Sequence, residues 1–310
     1  TLLQDVSNGD GIIIPSDRNI VIDFGGHTYT VTQNLAGSSG TENQCFQLLK
    51  DSDITLKNGA IVADNSGIKM MIQNYSNLTL EDMTLDATKG TNSISYVASN
   101  NCGKVQVIGD TSITARSAGK AFDVSYWPSA YPAGTQVVID TTGTITGDIE
   151  IGLYGSNNSI TLPSLSILSV ENVDLVGSVT TLNTKSGTYA TGLTDDEAKK
   201  AFAGKMTITG GTFSNDSVKE YMAANYECVG PDDNGKYTVQ KMDSKLVVEG
   251  SVDDDGNVSG SLEGSFGTNT EIVDNTENTV AGGTPGESET NVSNNEVTVE
   301  LTTSNTGTTA

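Results

Sequence analysis

Histidine, arginine and tryptophan are scarce in this 310-residue chain, and long apolar runs are missing. Each shortage excludes something. The one histidine, His27, has no partner at metal-ligand spacing. The three cysteines, Cys45, Cys102 and Cys228, are odd in number and widely spaced, which fits neither a disulfide framework nor a zinc pattern. They are expected to be buried free thiols. No metal and no cofactor are expected. No stretch of eighteen apolar residues exists, so no membrane insertion is expected. Sixteen bases stand against 39 acids, a formal net charge of −23. That field repels phosphate backbones and anionic lipid, so nucleic acid is not an expected partner. The opening residues, TLLQDVSNGDG, lack the pattern of a signal peptide. The expectation is a leader already removed, or a protein that reaches its place by assembly.

What remains abundant is Gly, Ser, Thr, Asn and Asp, a composition of strands and turns. Within it one outline recurs. DSDITLKNGAIVA (51–63) is followed 24 residues later by YSNLTLEDMTLDA (75–87). IVID at Ile20, VQVIG at Val105, VVIDT at Val137, LSVEN at Leu168 and MTITG at Met206 follow the same outline. First and third positions are aliphatic: Ile54/Leu56, Leu78/Leu80, Val105/Val107, Val137/Ile139, Leu168/Val170, Met206/Ile208. Alternation with period two puts these on one face of a strand. The other face carries mostly polar residues, among them Lys57, Glu81, Ile108, Asp140, Glu171 and Thr209.

After each strand stands a residue expected to bend the chain: Asn58, Asp82, Gly109, Thr141, Asn172, Gly210. A further apolar residue follows: Ile61, Leu85, Ile113, Ile145, Leu175, Phe213. From Ile54 to Met206 the copies start 24, 27, 32, 31 and 38 residues apart. So irregular a period, without 3.6-residue periodicity, does not suit helical-pair repeats. It suits a coil of short strands stacked roughly 4.8 Å apart, with corner loops of varying size. Each inward position then needs only an aliphatic of suitable volume, so the outline persists while the letters change.

NIVIDFGGHTYTV (19–31), QNYSNLTLEDMTLDA (73–87) and ITGGTFSNDSVKEYMAANYECVGPDDNGKYTV (208–239) resemble the right-handed parallel β-helix of the pectate-lyase-like superfamily. More narrowly they resemble β-helix regions of surface proteins of gut bacteria and their phages. The resemblance covers about residues 10–240. The fold class expected is all-β: a right-handed parallel β-helix of about seven rungs, with short capping helices and a small acidic C-terminal β region.

The capping helices are read at TDDEAKKAFAG (194–204), where Thr194 and Glu197 form a capping box, and at about 218–224. GPDDNGKYTV is read as a hairpin turn. Residues 1–240 form the β-helix domain. Residues 241–310, with two lysines and 13 acids for a net charge of −11, form a β module or an assembly segment. There KLVVEGSV (245–252) and NVSGSLEGSF (257–266) read as a hairpin, 275–295 as linker or exposed loop, and EVTVEL (296–301) as a strand.

The superfamily includes pectate lyases and polygalacturonases, which implies a carboxylate pair or clustered acids with a base. The outward column offers one pair, Asp140 and Glu171, expected on adjacent rungs. A solvated acidic face is the competing reading. Asp195 and Asp196 suit a helix first turn, and Asp253, Asp254 and Asp255 suit a hairpin turn rather than a calcium loop. His27 is read as an ordinary outward residue. SYWPSAYPAG (125–134) places Tyr126, Trp127 and Tyr131 in one Pro-containing loop, with Tyr154 and Tyr96 expected on the same flank. Aromatic faces there would stack on a sugar ring, or simply fold onto the solenoid wall.

The expectation is a non-enzymatic, extracellular module on a cell or virion surface, acting as rigid spacer and adhesion or glycan-binding surface. The alternatives are a polysaccharide lyase or glycoside hydrolase, and a structural decoration or fibre protein of a virion. Partners would be a glycan or host-surface polysaccharide, and a larger assembly reached through 241–310. A homotrimer is left open.

Overall fold

The computed structural model describes residues 1–89, 95–101, 103–126, 134–153, 166–182, 200, 203–242, 246–252, 258–265, 284–293 and 296–304. It divides into two compact units, Thr1–Ala223 with Cys228–Gln240, and Ala224–Glu227 with Lys241–Ala310.

The first unit is a parallel β-solenoid. Its larger sheet stacks the first positions of the repeated outline in register: Ile20, Ile54, Leu78, Val105, Val137, Leu168 and Met206 are successive partners. Two residues on, Ile22, Leu56, Leu80, Val107, Ile139, Val170 and Ile208 do the same. From Ile54 and Leu56 onward both columns are buried. Ile20 and Ile22, in the first strand of the column, are only half-buried. Past the corner, Tyr29, Ile61, Leu85, Ile113, Ile145, Leu175 and Phe213 form a third column. Truncating one of these buried aliphatics, such as Leu80 to Ala, would cost roughly 2–5 kcal/mol.

Corners are built in two ways. Asn58 (φ 59°), Asp82 (φ 52°) and Gly109 (φ 66°) bend through the left-handed region, as their residue types allow. In the next coil the expected bend residue, Thr141, is buried instead and acts through its hydroxyl. Oγ1 donates within reach of the Gly109 and Thr111 carbonyls, 2.9 Å from each, and accepts from the Thr111 and Gly143 amides at 2.9 and 3.1 Å. A hydroxyl inside the corner replaces strain on the backbone. At the last corner Gly211 (φ 102°), not Gly210, takes the left-handed conformation.

A smaller parallel sheet closes the coil. It comprises Ile12–Ile14, Gln44–Leu48, Met70–Asn74, Tyr96–Asn101, Lys120–Tyr126, Asp148–Leu153 and Val179–Leu182. Phe46, Ile72, Ala98, Phe122, Ile149 and Val179 are register partners and all are buried, facing the columns of the larger sheet.

The expected helix at 218–224 is a correction. Only one 3-10 turn forms, Ser217–Glu220. Its cap residue Asp216 makes no side-chain cap bond; its carboxylate holds Lys219 instead, at 3.1 Å. An uncapped start and a buried Val218 leave little to propagate an α-helix. The helix expected at 194–204 falls almost wholly outside the described residues. The hairpin turn at 230–236 is closed by Asp232, whose Oδ1 accepts the Asn234 and Lys236 amides.

In the second unit, Leu246–Val252, Val258–Ser265, Glu296–Ser304 and Thr284–Ser293 form an antiparallel sheet in that order. The hairpin and the final strand are as read from sequence. Within 275–295, read as linker or exposed loop, Thr284–Ser293 is a correction: it is a strand paired to Glu296–Ser304 from Thr284↔Ser304 to Ser293↔Glu296, and the rest of that stretch lies outside the described residues. Thr284, Thr290 and Val292 supply β-branched residues among the polar ones that suggested a linker.

Candidate functional site: the outer column of the smaller sheet

Alternation in the smaller sheet places a second set of residues opposite its core column. Gln47, Gln73, Ser99, Asp123, Glu150 and Thr180 are successive register partners on adjacent strands. This column is polar throughout, yet Gln47, Ser99, Asp123 and Glu150 are buried. Buried polar groups need partners, and most have them. Gln47 Nε2 donates to Gln73 Oε1 at 3.1 Å, and Gln73 Nε2 to the Tyr75 hydroxyl at 2.7 Å. The Asp123 carboxylate accepts from Ser125 Oγ at 2.6 Å and Ser99 Oγ at 3.1 Å. Lys120 Nζ lies 2.8 Å from Asp148 and 3.4 Å from Glu150. The buried Thr180 hydroxyl oxygen has no partner among the described residues.

Asp123, in the column, and Asp148, two residues before Glu150 and outside it, are set apart by their surroundings. Burial pushes Asp123 up, and the neighbouring Glu150 charge adds to it, against the two serine donors. Burial also acts on Asp148, but Lys120 and the Ser178 amide outweigh it and hold that carboxyl low. Lys120 is raised, because Asp148 and Glu150 overcome the effect of its own burial. The column thus holds one carboxyl inclined to keep its proton, beside another within reach of a cation.

How the smaller sheet hands the chain back to the larger one changes along the coil. Asn74 and Asn100 occupy one inward column and staple tight corners. Asn74 Nδ2 donates to the Ser76 and Lys104 carbonyls and to Asn100 Oδ1, and Asn100 Nδ2 to the Gly103 carbonyl and Thr135 Oγ1. Strand end and next strand start are then three positions apart, Asn74 to Asn77 and Asn101 to Lys104. In the next two coils Val124 and Ile151 take the column position. There the gaps grow to ten, Tyr126 to Gln136, and fifteen, Leu153 to Leu168, and then to 24, Leu182 to Met206.

Tyr126 ends its strand as the register partner of Leu153. The segments that begin with Trp127 and Tyr154 therefore leave from adjacent strands. Trp127, Tyr131 and Tyr154 themselves lie outside the described residues. Tyr96 is a correction. It pairs with Lys120, at the start of the strand that Tyr126 ends, so it stands at the opposite end of the sheet.

Asp140 and Glu171 do not share a register position. The pairing slips after Ile139, and Asp140 faces Asn172. Both acids are exposed on the larger sheet. His27 Nδ1 lies 3.3 Å from Asp5 Oδ1, which also accepts the Thr28 amide at 2.9 Å. Among the described residues no group of three or more His, Cys, Asp or Glu side chains could hold a metal.

Sequence reading missed Asp123, Glu150 and Lys120 because it followed only the larger sheet. A signal was present. QCFQL, MMIQN, YVASN, KAFDV and DIEIG each hold a polar residue just after a buried apolar one, once per coil.

Comparison with family models, with curated proteins and with solved structures returns no match.

Proposed function

We propose that the solenoid is a non-enzymatic, surface-displayed module that serves as a rigid spacer and recognises a glycan at one end of its smaller sheet. The observation that carries this reading is the register pair Tyr126–Leu153. It starts two long connections side by side, one opening with Trp127 and holding Tyr131, the other opening with Tyr154. Stacked parallel strands supply a stiff platform, and loops on such a platform are where binding residues concentrate. Aromatic faces match the apolar face of a pyranose, and Asn157 and Asn158 in the second connection offer hydrogen bonds to hydroxyls. The acidic charge fits a soluble protein outside the cell and a neutral rather than anionic sugar. A place among β-helix surface proteins of the pectate-lyase-like kind agrees with this reading.

The test is a glycan-array screen of the full chain and of Trp127→Ala. Binding by the intact chain, lost in the variant with its circular dichroism unchanged, is expected. An intact chain that binds no glycan overturns the reading.

A second reading has its own observation. Asp123 and Glu150 are carboxylates in register on neighbouring strands, Asp123 raised by its burial and held by two serine hydroxyls, Glu150 3.4 Å from Lys120. That is the arrangement a glycoside hydrolase needs for an acid and a base or nucleophile. Release of reducing sugar from a polysaccharide panel, abolished by Asp123→Asn and by Glu150→Gln, would establish this reading in place of the first.

A further inference from the structure

Along the outer column of the smaller sheet, polar side chains find partners until the last two positions, Glu150 and Thr180. Gln47, Gln73, Ser99 and Asp123 bond to one another or to neighbouring side chains. Glu150 is 9% exposed. Among the described residues the one donor near its carboxylate is Lys120, at 3.4 Å, and Lys120 sits closer to Asp148, at 2.8 Å. A carboxylate can accept about four hydrogen bonds, so most of this one's capacity is unused. Thr180 Oγ1 is buried and has no partner among the described residues. The two residues are register partners on adjacent parallel strands. Their chain neighbours Ile149 and Val179 belong to the core, so alternation turns Glu150 and Thr180 to the same outer side.

Unmet hydrogen bonds at buried groups are costly. A ligand group that completes both at once is favoured here more than anywhere else in the column. We propose that Glu150 and Thr180 form a subsite for one hydroxyl of an uncharged sugar, which donates to the Glu150 carboxylate and accepts from Thr180 Oγ1. This rests on the glycan reading and adds the chemical class of sugar that is chosen.

Three arguments select a neutral hydroxyl. The first is geometric. The strands lie roughly 4.8 Å apart, and two hydrogen bonds of about 2.8 Å meeting at one oxygen span that separation. The second is charge. A uronate would meet the carboxylates of Glu150 and Asp148, and a sugar ammonium would meet Lys120, which already serves both acids. A hydroxyl, donor and acceptor together, adds no charge to this balance. The third is place. Glu150 and Thr180 stand three and two residues before their strands end at Leu153 and Leu182, where the two longest connections begin. Thr180 as a whole is only half-buried, so the pair can be approached from outside.

The experiment is a glycan array carrying matched neutral, uronic-acid and free-amine glycans, probed with the full chain. The neutral glycan bound best is then titrated calorimetrically into the parent and into Thr180→Val, Thr180→Ser and Glu150→Gln. The parent should bind neutral members and refuse their uronic-acid counterparts. Thr180→Val should weaken binding roughly tenfold, while Thr180→Ser, which keeps the hydroxyl, should bind as the parent does. Glu150→Gln should bind the neutral glycan more weakly and admit the uronic-acid counterpart. A purely structural role for Glu150 would not change that preference. Thr180→Val binding as tightly as the parent, with its circular dichroism unchanged, means that the pair holds only water and overturns the proposal. A parent chain that binds uronic-acid and neutral glycans alike also overturns it. That arm needs no variant, so it decides even if Thr180→Val does not fold. An intact chain that binds no glycan ends the glycan reading and this subsite together. Binding lost in Trp127→Ala but kept in Thr180→Val ends the subsite alone.

Discussion

Asp123 and Glu150 stand side by side on adjacent parallel strands, yet only Asp123 is held by two serine hydroxyls and only Glu150 is reached by Lys120. Two carboxylates in one buried column would repel if both were ionised and unpaired. The column resolves this by giving one a cation and leaving the other among neutral donors.

For Asp123 this has a sign. Burial raises its carboxyl above the usual range, so the folded state binds the proton more tightly than the unfolded chain. Its contribution to stability is full below the unfolded value and is lost as pH rises through the folded one. Asp123→Asn keeps a group that can bond to Ser99 and Ser125 but cannot ionise. The variant should melt at a higher temperature than the parent at pH 7, and the gap should close near pH 3. Thermal melts followed by circular dichroism across that range check it. A variant less stable than its parent at pH 7 would show that the ionised carboxylate is needed by the fold.

Lys120 gives the opposite dependence. Lys120→Met leaves Asp148 and Glu150 without their shared cation, at a cost of roughly 1–3 kcal/mol at pH 7. Asp148 is held low by Lys120 and the Ser178 amide, so its share of stability is present above the unfolded value and lost as pH falls through the folded one. The penalty of Lys120→Met should therefore shrink as the pH drops below about 4. Denaturant titrations at pH 7 and pH 3 measure it.

Thr141 tests the hydroxyl corner. Its Oγ1 meets two carbonyls and two amides of the adjoining backbone. Thr141→Val keeps the shape and strips those bonds, and should cost roughly 1–3 kcal/mol. Thr142→Val, at an exposed neighbour, should stay within about 0.5 kcal/mol of the parent. Beside it, Gly143 has no room for a side chain, because a Cβ would lie 2.2 Å from the Thr111 carbonyl oxygen. Gly143→Ala should destabilise as well, and the same denaturant titration reads all three.

Where the sequence was legible follows from what each position needs. The larger sheet demands an aliphatic at a fixed spacing, and Ile54, Leu78, Val105, Val137, Leu168 and Met206 met that demand in one register. Asp140 and Glu171 also sit at equal spacing from their aliphatics, but a register slip after Ile139 separates them, and alternation alone carries no mark of a slip. The Asp123 column was hidden for another reason. Its strands are buried on both sides, so KAFDVSY reads as an unpatterned run, and only stacking the coils reveals that its polar residue recurs. The 284–293 strand is mostly polar, and its partner in pairing is what defines it.

Cys45 offers a probe of how the coil opens. It is buried in a strand of the smaller sheet near the first coils, and burial pushes its thiol up to about 12. A thiol reacts as thiolate, so in the folded protein Cys45 should resist alkylation at pH 8 while the half-buried Cys228 is modified sooner. Stacked coils contact only their neighbours, so the end of a solenoid can open before the middle. Labelling of Cys45 should then begin at a denaturant concentration below the main loss of circular dichroism, and peptide mapping after timed iodoacetamide pulses would show it. If Cys45 becomes reactive only together with the loss of the whole β signal, the first coils melt with the rest, and the coiled unit unfolds as one cooperative block.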